Sequence, residues 1–267
     1  MSHSIIRFVE AARCEGLIRS VESFIARAYT EANAIARRSH IYEYGMDMEA
    51  FAFPIHCPGS PETDHLPGFR LAELPDDLAG LCRDAARALR LDRGRVLFNV
   101  GRYPEHSIEV PAHYDGELFD FSVDPNVGNH VRSGIRPSEV ALLTLRNETE
   151  RCGTTLHDEE GKVVSTVARA GELLVFDNIH HQHGVAPTGA NVVYRRAGPD
   201  DRPRWARYTI GWRSLEEGFF WCDGQPLRPL PFGEAVELHD DFLAGEWAAQ
   251  LAEDLARATF PFPTRHV

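Results

Sequence analysis

The chain has 267 residues, of which 43% are hydrophobic, 25% charged and 10% aromatic. This composition is that of a globular protein, and a chain of this length can bury a sizeable core without disulfides or structural metals. The formal net charge is −12, from 40 acidic and 28 basic residues. Such a surplus of negative charge repels phosphate backbones, which argues against nucleic acid as a partner. It says little about a small substrate, because a local patch can oppose the global sign.

Cysteine usage and hydropathy indicate the compartment. The five cysteines are scattered and form no CxxC pair, which favours reduced thiols over a disulfide framework or a zinc–thiolate site. No stretch reaches the length needed to cross a bilayer, and residues 1–7 lack the apolar core of a secretory signal. We therefore expect a cytoplasmic protein that does not bind membranes and is either a monomer or a homodimer.

The first third of the chain is predicted to be mainly helical. Apolar residues recur at three- and four-residue steps from Ile18 to Ala32, which is the pattern of an amphipathic helix. Residues 46–75 are rich in Pro, Gly and His and predict a long loop. A second helix is predicted from Asp76, with Leu78, Leu81, Cys82, Ala85 and Leu89 on its buried face.

From about residue 95 the pattern changes to short apolar runs separated by turn residues, which predicts strands. The predicted strands are Val96–Tyr103, Ala112–Asp120, Val140–Asn147, Val163–Val167, Glu172–Phe176, Gln182–Ala186 and Tyr208–Arg213. Asp158–Gly161 is predicted to be a hairpin turn. About seven strands at this spacing predict a sandwich or barrel. Two long segments, Asp124–Ser138 and Thr188–Arg204, interrupt the strands and are predicted to be either functional lids or disordered insertions. A final helix is predicted with Phe242, Trp247, Leu251 and Leu255 on one side.

A short motif in the second predicted strand suggests a metal site. In His113-Tyr114-Asp115, side chains alternate across the strand, so the imidazole of His113 and the carboxylate of Asp115 would project from one face. Two histidines and one carboxylate form the facial triad that suits iron(II), because it leaves coordination positions open. A lone His-x-Asp triplet is a weak signal, since such triplets also occur by chance as polar pairs near strand ends.

The candidate for the third ligand lies in a histidine cluster after another predicted strand. His180, His181 and His183 follow the apolar run Glu172–Phe176, 70 residues after the first motif. That separation is long enough to return the chain on a different strand. His181 and His183 share one face by parity, so the residues alone leave both possible, and a surface histidine cluster is the plain alternative.

A third motif suggests an anion site. Arg207 and Thr209 share one face of the predicted strand Tyr208–Arg213. A planar guanidinium beside a hydroxyl suits bidentate binding of a carboxylate. An ordinary surface ion pair is the plain alternative for this motif taken alone.

Taken in order, these motifs resemble the iron(II)- and 2-oxoglutarate-dependent oxygenases, and most closely their isopenicillin N synthase-like branch. The resemblance spans roughly residues 95–215. Its motifs are Tyr103-Pro104, His113-Tyr114-Asp115, Gly171 through Phe176-Asp177-Asn178 to His183-Gly184-Val185, and Arg207-Tyr208-Thr209.

The resemblance implies a mainly β fold with flanking helices. The core would be a double-stranded β-helix, a jelly-roll or cupin-like barrel, over residues 95–215. A helical region over residues 1–94 would pack on it, and residues 216–267 would form a C-terminal extension within one structural domain overall.

The resemblance also implies cofactors and roles. His113, Asp115 and His183 would bind Fe(II) and carry catalysis, and Arg207 with Thr209 and Tyr103 would bind the distal carboxylate of 2-oxoglutarate. The enzyme would use O2 to oxidise a small-molecule substrate, most simply by hydroxylation, with release of succinate and CO2. Because Asp115 is retained, hydroxylation, desaturation or ring formation is favoured over halogenation.

Several alternatives remain open at this point. The interval from His183 to Arg207 is 24 residues, longer than the family usually shows, so Arg213 is a rival to Arg207. His181 is a rival to His183. An iron-dependent oxidase or dioxygenase that does not use 2-oxoglutarate, or a non-catalytic jelly-roll module, would share the same barrel. The identity of the substrate cannot be inferred from the sequence.

Overall fold

A computed structural model describes the backbone of residues 3–28, 40–44, 48–57, 68–89, 94–104, 109–115, 117–121, 131–137, 139–149, 152–158, 160–187, 205–214, 219–223 and 228–229. Two α-helices are described, α1 (Ala11–Ala28) and α2 (Asp76–Ala88), with a short 3-10 helix at Leu71–Glu73. The strands are β1 His3–Arg7, β2 His40–Tyr44, β3 Met48–His56, β4 Arg95–Pro104, β5 Val110–His113, β6 Glu117–Phe121, β7 Val131–Pro137, β8 Glu139–Asn147, β9 Thr154–His157, β10 Val163–Thr166, β11 Glu172–Asp177, β12 Gln182–Val185, β13 Trp205–Ser214, β14 Phe219–Asp223 and β15 Arg228–Pro229.

Eleven of these strands form two facing layers, one of seven strands and one of four. One layer has the order β1-β11-β8-β13-β4-β3-β2, and the other has the order β10-β9-β12-β5. Along the chain, β4, β8, β11 and β13 belong to the first layer, and the intervening strands β5, β9, β10 and β12 belong to the second. This alternation between two antiparallel layers defines a double-stranded β-helix, or jelly roll. The predicted fold is therefore confirmed by the strand order.

A third described sheet has the order β15-β14-β7-β6. Three of its strands, β7, β14 and β15, were not predicted as strands. The segment Asp124–Ser138 was predicted to be a loop, but its residues 131–137 form β7. The single predicted strand Ala112–Asp120 is two strands, β5 and β6, separated by a turn.

The two helices cover the outer face of the larger sheet. Because side chains alternate along a strand, every second side chain of the larger sheet faces the helices, and the side chains between them face the smaller sheet. On β13, Tyr208, Ile210 and Trp212 join the helix-side core, and Arg207 and Thr209 belong to the opposite set. Aromatic rings pack against one another on the helix side, such as Phe24 and Phe53 with ring centroids 5.0 Å apart.

The N-terminal third departs most from its prediction. The helix predicted from Ile18 is α1, which ends at Ala28 within the described residues, and the second predicted helix is α2. The loop predicted over residues 46–75 was wrong in part, because Met48–His56 forms β3, paired with β4. Pro54 is tolerated in this strand because β2 pairs only with residues 48–52, so no hydrogen bond to β2 is lost.

The remaining predictions concern a hairpin turn, a long loop and the C-terminal helix. The hairpin turn at Asp158–Gly161 is present between β9 and β10, and Gly161 has a φ of 78°, which favours glycine. The loop Thr188–Arg204 and the C-terminal helix lie outside the described residues. Within the part of the chain that is described, no helix is long and apolar enough to span a bilayer.

Candidate metal centre

The ends of two neighbouring strands bring the predicted metal ligands together. Strand β5 ends at His113, and β12 begins one residue before His183. The two strands are hydrogen-bonded neighbours, and His183 pairs directly with His113 in the register. Asp115 lies in the turn just past β5. The alternation of side chains along a strand therefore does not explain why its side chain lies beside that of His113.

The three side chains form a compact donor set. One donor atom from each of His113, Asp115 and His183 lies within 4.8 Å of the others. Asp115 Oδ1 is 3.9 Å from Nε2 of His113 and 3.9 Å from Nε2 of His183. Two imidazole nitrogens and one carboxylate oxygen at this spacing fit a divalent transition metal between them.

The tautomer of His113 is set by its backbone contact. Its Nδ1 lies 2.9 Å from the carbonyl oxygen of Pro111. A carbonyl oxygen only accepts hydrogen bonds, so Nδ1 carries the proton and Nε2 keeps its lone pair. That lone pair is on the side of Asp115 and His183. A hydrogen bond of this kind is how metal-binding histidines are usually oriented.

Electrostatics keep the donor atoms in the forms that bind a metal. Burial, the main cause, lowers the pKa of His183 to about 4, and the charges of His113 and Arg213 act in the same direction. Burial raises the pKa of Asp115, but the charges of Arg213, His183 and His113 outweigh this and hold that pKa below its usual value. At neutral pH the site therefore offers a neutral His183 and an ionised Asp115.

Of the three clustered histidines, one belongs to the donor set. His183, not His181, belongs to the three-residue donor set found among the described residues. His181 is also buried, but on the residue before β12 begins. His180 is exposed, and its Nδ1 lies 3.2 Å from Asp177 Oδ2 within the turn.

A positioning residue that the sequence did not single out is Asn178. Its Oδ1 accepts a hydrogen bond of 2.9 Å from the backbone N–H of Asp115, and its Nδ2 donates one of 2.7 Å to the carbonyl oxygen of Asp115. Asn178 is fully buried. It thus ties the turn before β12 to the turn after β5. Its place in the Asp177-Asn178 part of the motif was the only sequence signal for this role.

A pocket between the two sheets opens at the donor set. Its walls come from β3, β4, β5, β8, β9, β12 and β13 and from the turn after β5. Among its described lining residues, only Asp115 and Arg213 carry a formal charge when histidine is neutral. The lining residues are Ala50, Phe51, Asn99, Val100, Gly101, Tyr103, Val110, His113, Tyr114, Asp115, Leu142, Thr154, His183, Val185, Thr209, Gly211 and Arg213.

The predicted anion site adjoins the same pocket, which is lined by Tyr103, Thr154 and Thr209. The Arg207 guanidinium donates from Nη2 to Thr154 Oγ1 at 3.0 Å and lies 4.8 Å from the centre of the Tyr103 ring. Thr154 pairs with Val185, two residues into β12 from His183. Nε and Nη1 of Arg207 are buried and have no hydrogen-bond partner among the described residues.

Two hydroxyl groups stand beside this arginine. Tyr103 and Thr209 are hydrogen-bonded to each other through their side chains. Burial raises the pKa of the Tyr103 phenol, with the charge of Arg207 opposing this, so the hydroxyl keeps its proton and can donate it. Gly101 makes room for the pair, because a Cβ there would lie 2.8 Å from Thr209 Oγ1 and 3.0 Å from the Tyr103 hydroxyl.

Comparison with known proteins gives structural neighbours only. No protein-family model and no curated protein matches the chain. A prolyl-4-hydroxylase from Pseudomonas putida is similar over 79% of this chain and 91% of its own, with 17% identity and a TM-score of 0.41. An oxidoreductase of the 2OG-Fe(II) oxygenase family from Burkholderia pseudomallei is similar over 79% and 84%, with 13% identity and a TM-score of 0.43. The carbocyclase SnoK from nogalamycin biosynthesis is similar over 86% and 88%, with 14% identity and a TM-score of 0.43.

Proposed function

We propose that this chain is a non-haem iron(II)- and 2-oxoglutarate-dependent oxygenase that oxidises a small molecule, most simply by hydroxylation. The observation that carries the proposal is the pairing of two sites in one barrel. A donor set of two histidines and a carboxylate lines the pocket, and next to its lining residues Tyr103 and Thr154 lies a buried arginine with two N–H donors that have no hydrogen-bond partner among the described residues.

The donor set fits iron(II). His113, Asp115 and His183 would bind the metal from one side and leave its other positions open for the co-substrate and O2. Bound iron(II) with 2-oxoglutarate and O2 supplies the oxidising chemistry, in which succinate and CO2 are released. Asn178 would hold the Asp115 backbone in place through its two hydrogen bonds.

The site around Arg207 fits the distal carboxylate of 2-oxoglutarate. Nε and Nη1 of Arg207 are donors in a buried environment where an unsatisfied charge is costly, and a carboxylate would satisfy both. The hydroxyls of Tyr103 and Thr209 would add hydrogen bonds to the same group. Arg207 is thus the arginine that we assign to 2-oxoglutarate, in preference to Arg213.

Metal and co-substrate binding can be tested separately. Equilibrium dialysis under anaerobic conditions should show one Fe(II) per chain, lost in His113→Ala and in Asp115→Ala. Calorimetry of the Mn(II)-loaded protein should then show 2-oxoglutarate binding that weakens at least about thirtyfold in Arg207→Met, because truncating one member of a buried charge pair costs about 2–5 kcal/mol. Arg213→Met is the matched control and should bind 2-oxoglutarate like the wild type.

The results also separate the alternatives. O2 consumption without succinate formation would indicate an iron-dependent oxidase or dioxygenase that does not use 2-oxoglutarate. A wild-type protein that fails to bind Fe(II) would indicate a non-catalytic jelly-roll module. Full activity in His113→Ala would contradict the metal assignment. Circular dichroism of each variant checks that the fold is retained.

A further inference from the structure

Asn99 is a polar side chain of the pocket that neither of the two proposed sites uses. It lies on β4, where its neighbours Phe98 and Val100 belong to the helix-side core. Because side chains alternate along a strand, Asn99 points to the opposite side, as Tyr103 does. Asn99 is half-buried and lines the pocket together with the metal donor set. Its carboxamide therefore faces any ligand that enters.

The strands on both sides of Asn99 carry only small residues opposite it. In the register, Asn99 pairs with Gly211 on β13 and with Ala52 on β3. Gly101 and Ala50, which form the next pair along these strands, also line the pocket. Among the described residues, none makes a hydrogen bond to the Asn99 side chain. The N–H donors and the carbonyl oxygen of this amide thus remain for a ligand, with open space around them.

The proposed co-substrate already has its partners elsewhere in the pocket. Its distal carboxylate is assigned to Arg207, and the rest of the molecule is assigned to the metal. Asn99 lies four residues before Tyr103 on β4. At about 3.3 Å per residue, the Cα atoms of Asn99 and Tyr103 are roughly 13 Å apart. Asn99 is therefore the polar group that we assign to the substrate.

The chemistry of a carboxamide indicates which group of the substrate it would bind. An asparagine amide presents an acceptor oxygen and N–H donors side by side in one plane. A second carboxamide or a lactam matches that edge with two hydrogen bonds, one in each direction. An ester or a carboxylate has no N–H and matches only half of it. Once a ligand excludes water, an amide left without a partner is costly, so the pocket favours a group that satisfies both halves.

We infer, resting on the proposed function, that Asn99 is a specificity-determining residue and that the substrates are small molecules bearing a carboxamide or a lactam. The amide of the substrate would pair with Asn99, and the small residues around Asn99 would leave room for it. Apolar residues of the same pocket, such as Leu142 and Val185, would contact the remainder of the molecule.

Binding of matched compounds tests this inference without turnover. Wild-type protein is loaded with Mn(II) and 2-oxoglutarate under anaerobic conditions. It is then titrated by calorimetry with a panel of aliphatic and aromatic primary carboxamides, each compared with its methyl ester and its carboxylate, and of lactams, each compared with its lactone. We expect at least one amide to bind at least about tenfold more tightly than its matched compounds, because these lose one or both hydrogen bonds.

Two variants of Asn99 separate recognition from a structural role. Leucine is similar in size to asparagine but has no hydrogen-bonding group, so Asn99→Leu should lose the preference for the amide. Asn99→Gln keeps the carboxamide one methylene further out and should retain part of the preference. Both variants should keep the Tm of the wild type and its Kd for 2-oxoglutarate.

Several outcomes of these titrations would contradict the inference. Equal binding of amides and esters, tighter binding of the carboxylates, no binding by any amide of the panel, or a preference that persists in Asn99→Leu would each overturn it. A large increase in the Kd for 2-oxoglutarate in Asn99→Leu would assign Asn99 to the co-substrate instead. Prior measurement of 2-oxoglutarate binding separates the two proposals: if the wild type does not load, the proposed function fails, and if it loads without a preference for amides, only this inference fails.

Discussion

Replacing Gly101 by alanine tests how closely β4 and β13 approach in the proposed 2-oxoglutarate pocket. Gly101 pairs with Thr209 in the register, and the strand is held on its other side by Ala50. An added Cβ would lie 2.8 Å from Thr209 Oγ1 and 3.0 Å from both the hydroxyl and Cε2 of Tyr103. Because the backbone is paired on both sides, the two side chains must move instead.

Gly101→Ala should lower both the stability of the protein and its affinity for 2-oxoglutarate. Forcing an extra methyl group into a packed interior costs about 1–3 kcal/mol of unfolding free energy. For a chain of this size, that corresponds to a fall in Tm of roughly 2–10 °C. Displacing one hydroxyl from a carboxylate loses a charge-assisted hydrogen bond of about 1.5–3 kcal/mol. The affinity for 2-oxoglutarate should therefore fall by roughly ten- to a hundredfold.

Thermal unfolding and calorimetry with Mn(II) and 2-oxoglutarate measure the two effects. Gly80→Ala in α2 is the matched control, because its Cβ would meet only the tip of the Arg83 side chain at 3.9 Å. It should raise the free energy of unfolding by about 0.5–1 kcal/mol, the usual gain for alanine over glycine within a helix. In the Thr209→Ala background, the cost of Gly101→Ala should be smaller than in the wild type. A Gly101→Ala protein with unchanged Tm and unchanged 2-oxoglutarate affinity would refute the reasoning.

Three further predictions concern other parts of the site and its support. Asn178→Ala should weaken Fe(II) binding about 10- to 100-fold in anaerobic dialysis while the protein stays folded, and unchanged affinity would contradict its positioning role. Arg102→Met should lower the free energy of unfolding by about 3 kcal/mol in urea titrations, because Arg102 is buried and bridges Glu22 and Glu49. In metal-free protein, an NMR titration should find His183 neutral until the pH approaches about 4, since its pKa lies below that of an unfolded histidine. This linkage should reduce stability by up to about 3 kcal/mol as the pH falls from 6.5 to 4, and titration of His183 near pH 6.5 would contradict it.

The barrel was predictable because its strands carry local signals. The apolar runs of β4, β8, β11 and β13 are bounded by turn residues, and Gly161 marks the turn between β9 and β10. The strand β3 was missed because Pro54 and the Pro- and Gly-rich flanks resemble a loop. Only its pairing with β4 makes it a strand, and that pairing joins residues far apart in the chain.

The choice between His181 and His183 shows the limit of local patterns. Both histidines have the same parity, so alternation along a strand cannot separate them. The register of β12 against β5 places His183 opposite His113, and that register depends on the whole small sheet. The orientation of the Asp115 side chain likewise depends on the turn after β5 and on the two hydrogen bonds between the Asp115 backbone and the Asn178 side chain.

The sequence by itself determined the order and chemical type of the candidate ligands, since the donor groups, the strand patterns and their spacing are all local features. Only the tertiary structure decided which residues surround each of the two arginines. Arg207 and Arg213 share one face of β13, so no periodicity distinguishes them. The register of β13 between β4 and β8 places Arg207 beside Tyr103 and Thr154, whereas Arg213 lies on the pocket wall that also holds the donor set, because the surroundings of a side chain depend on which strands pack against it.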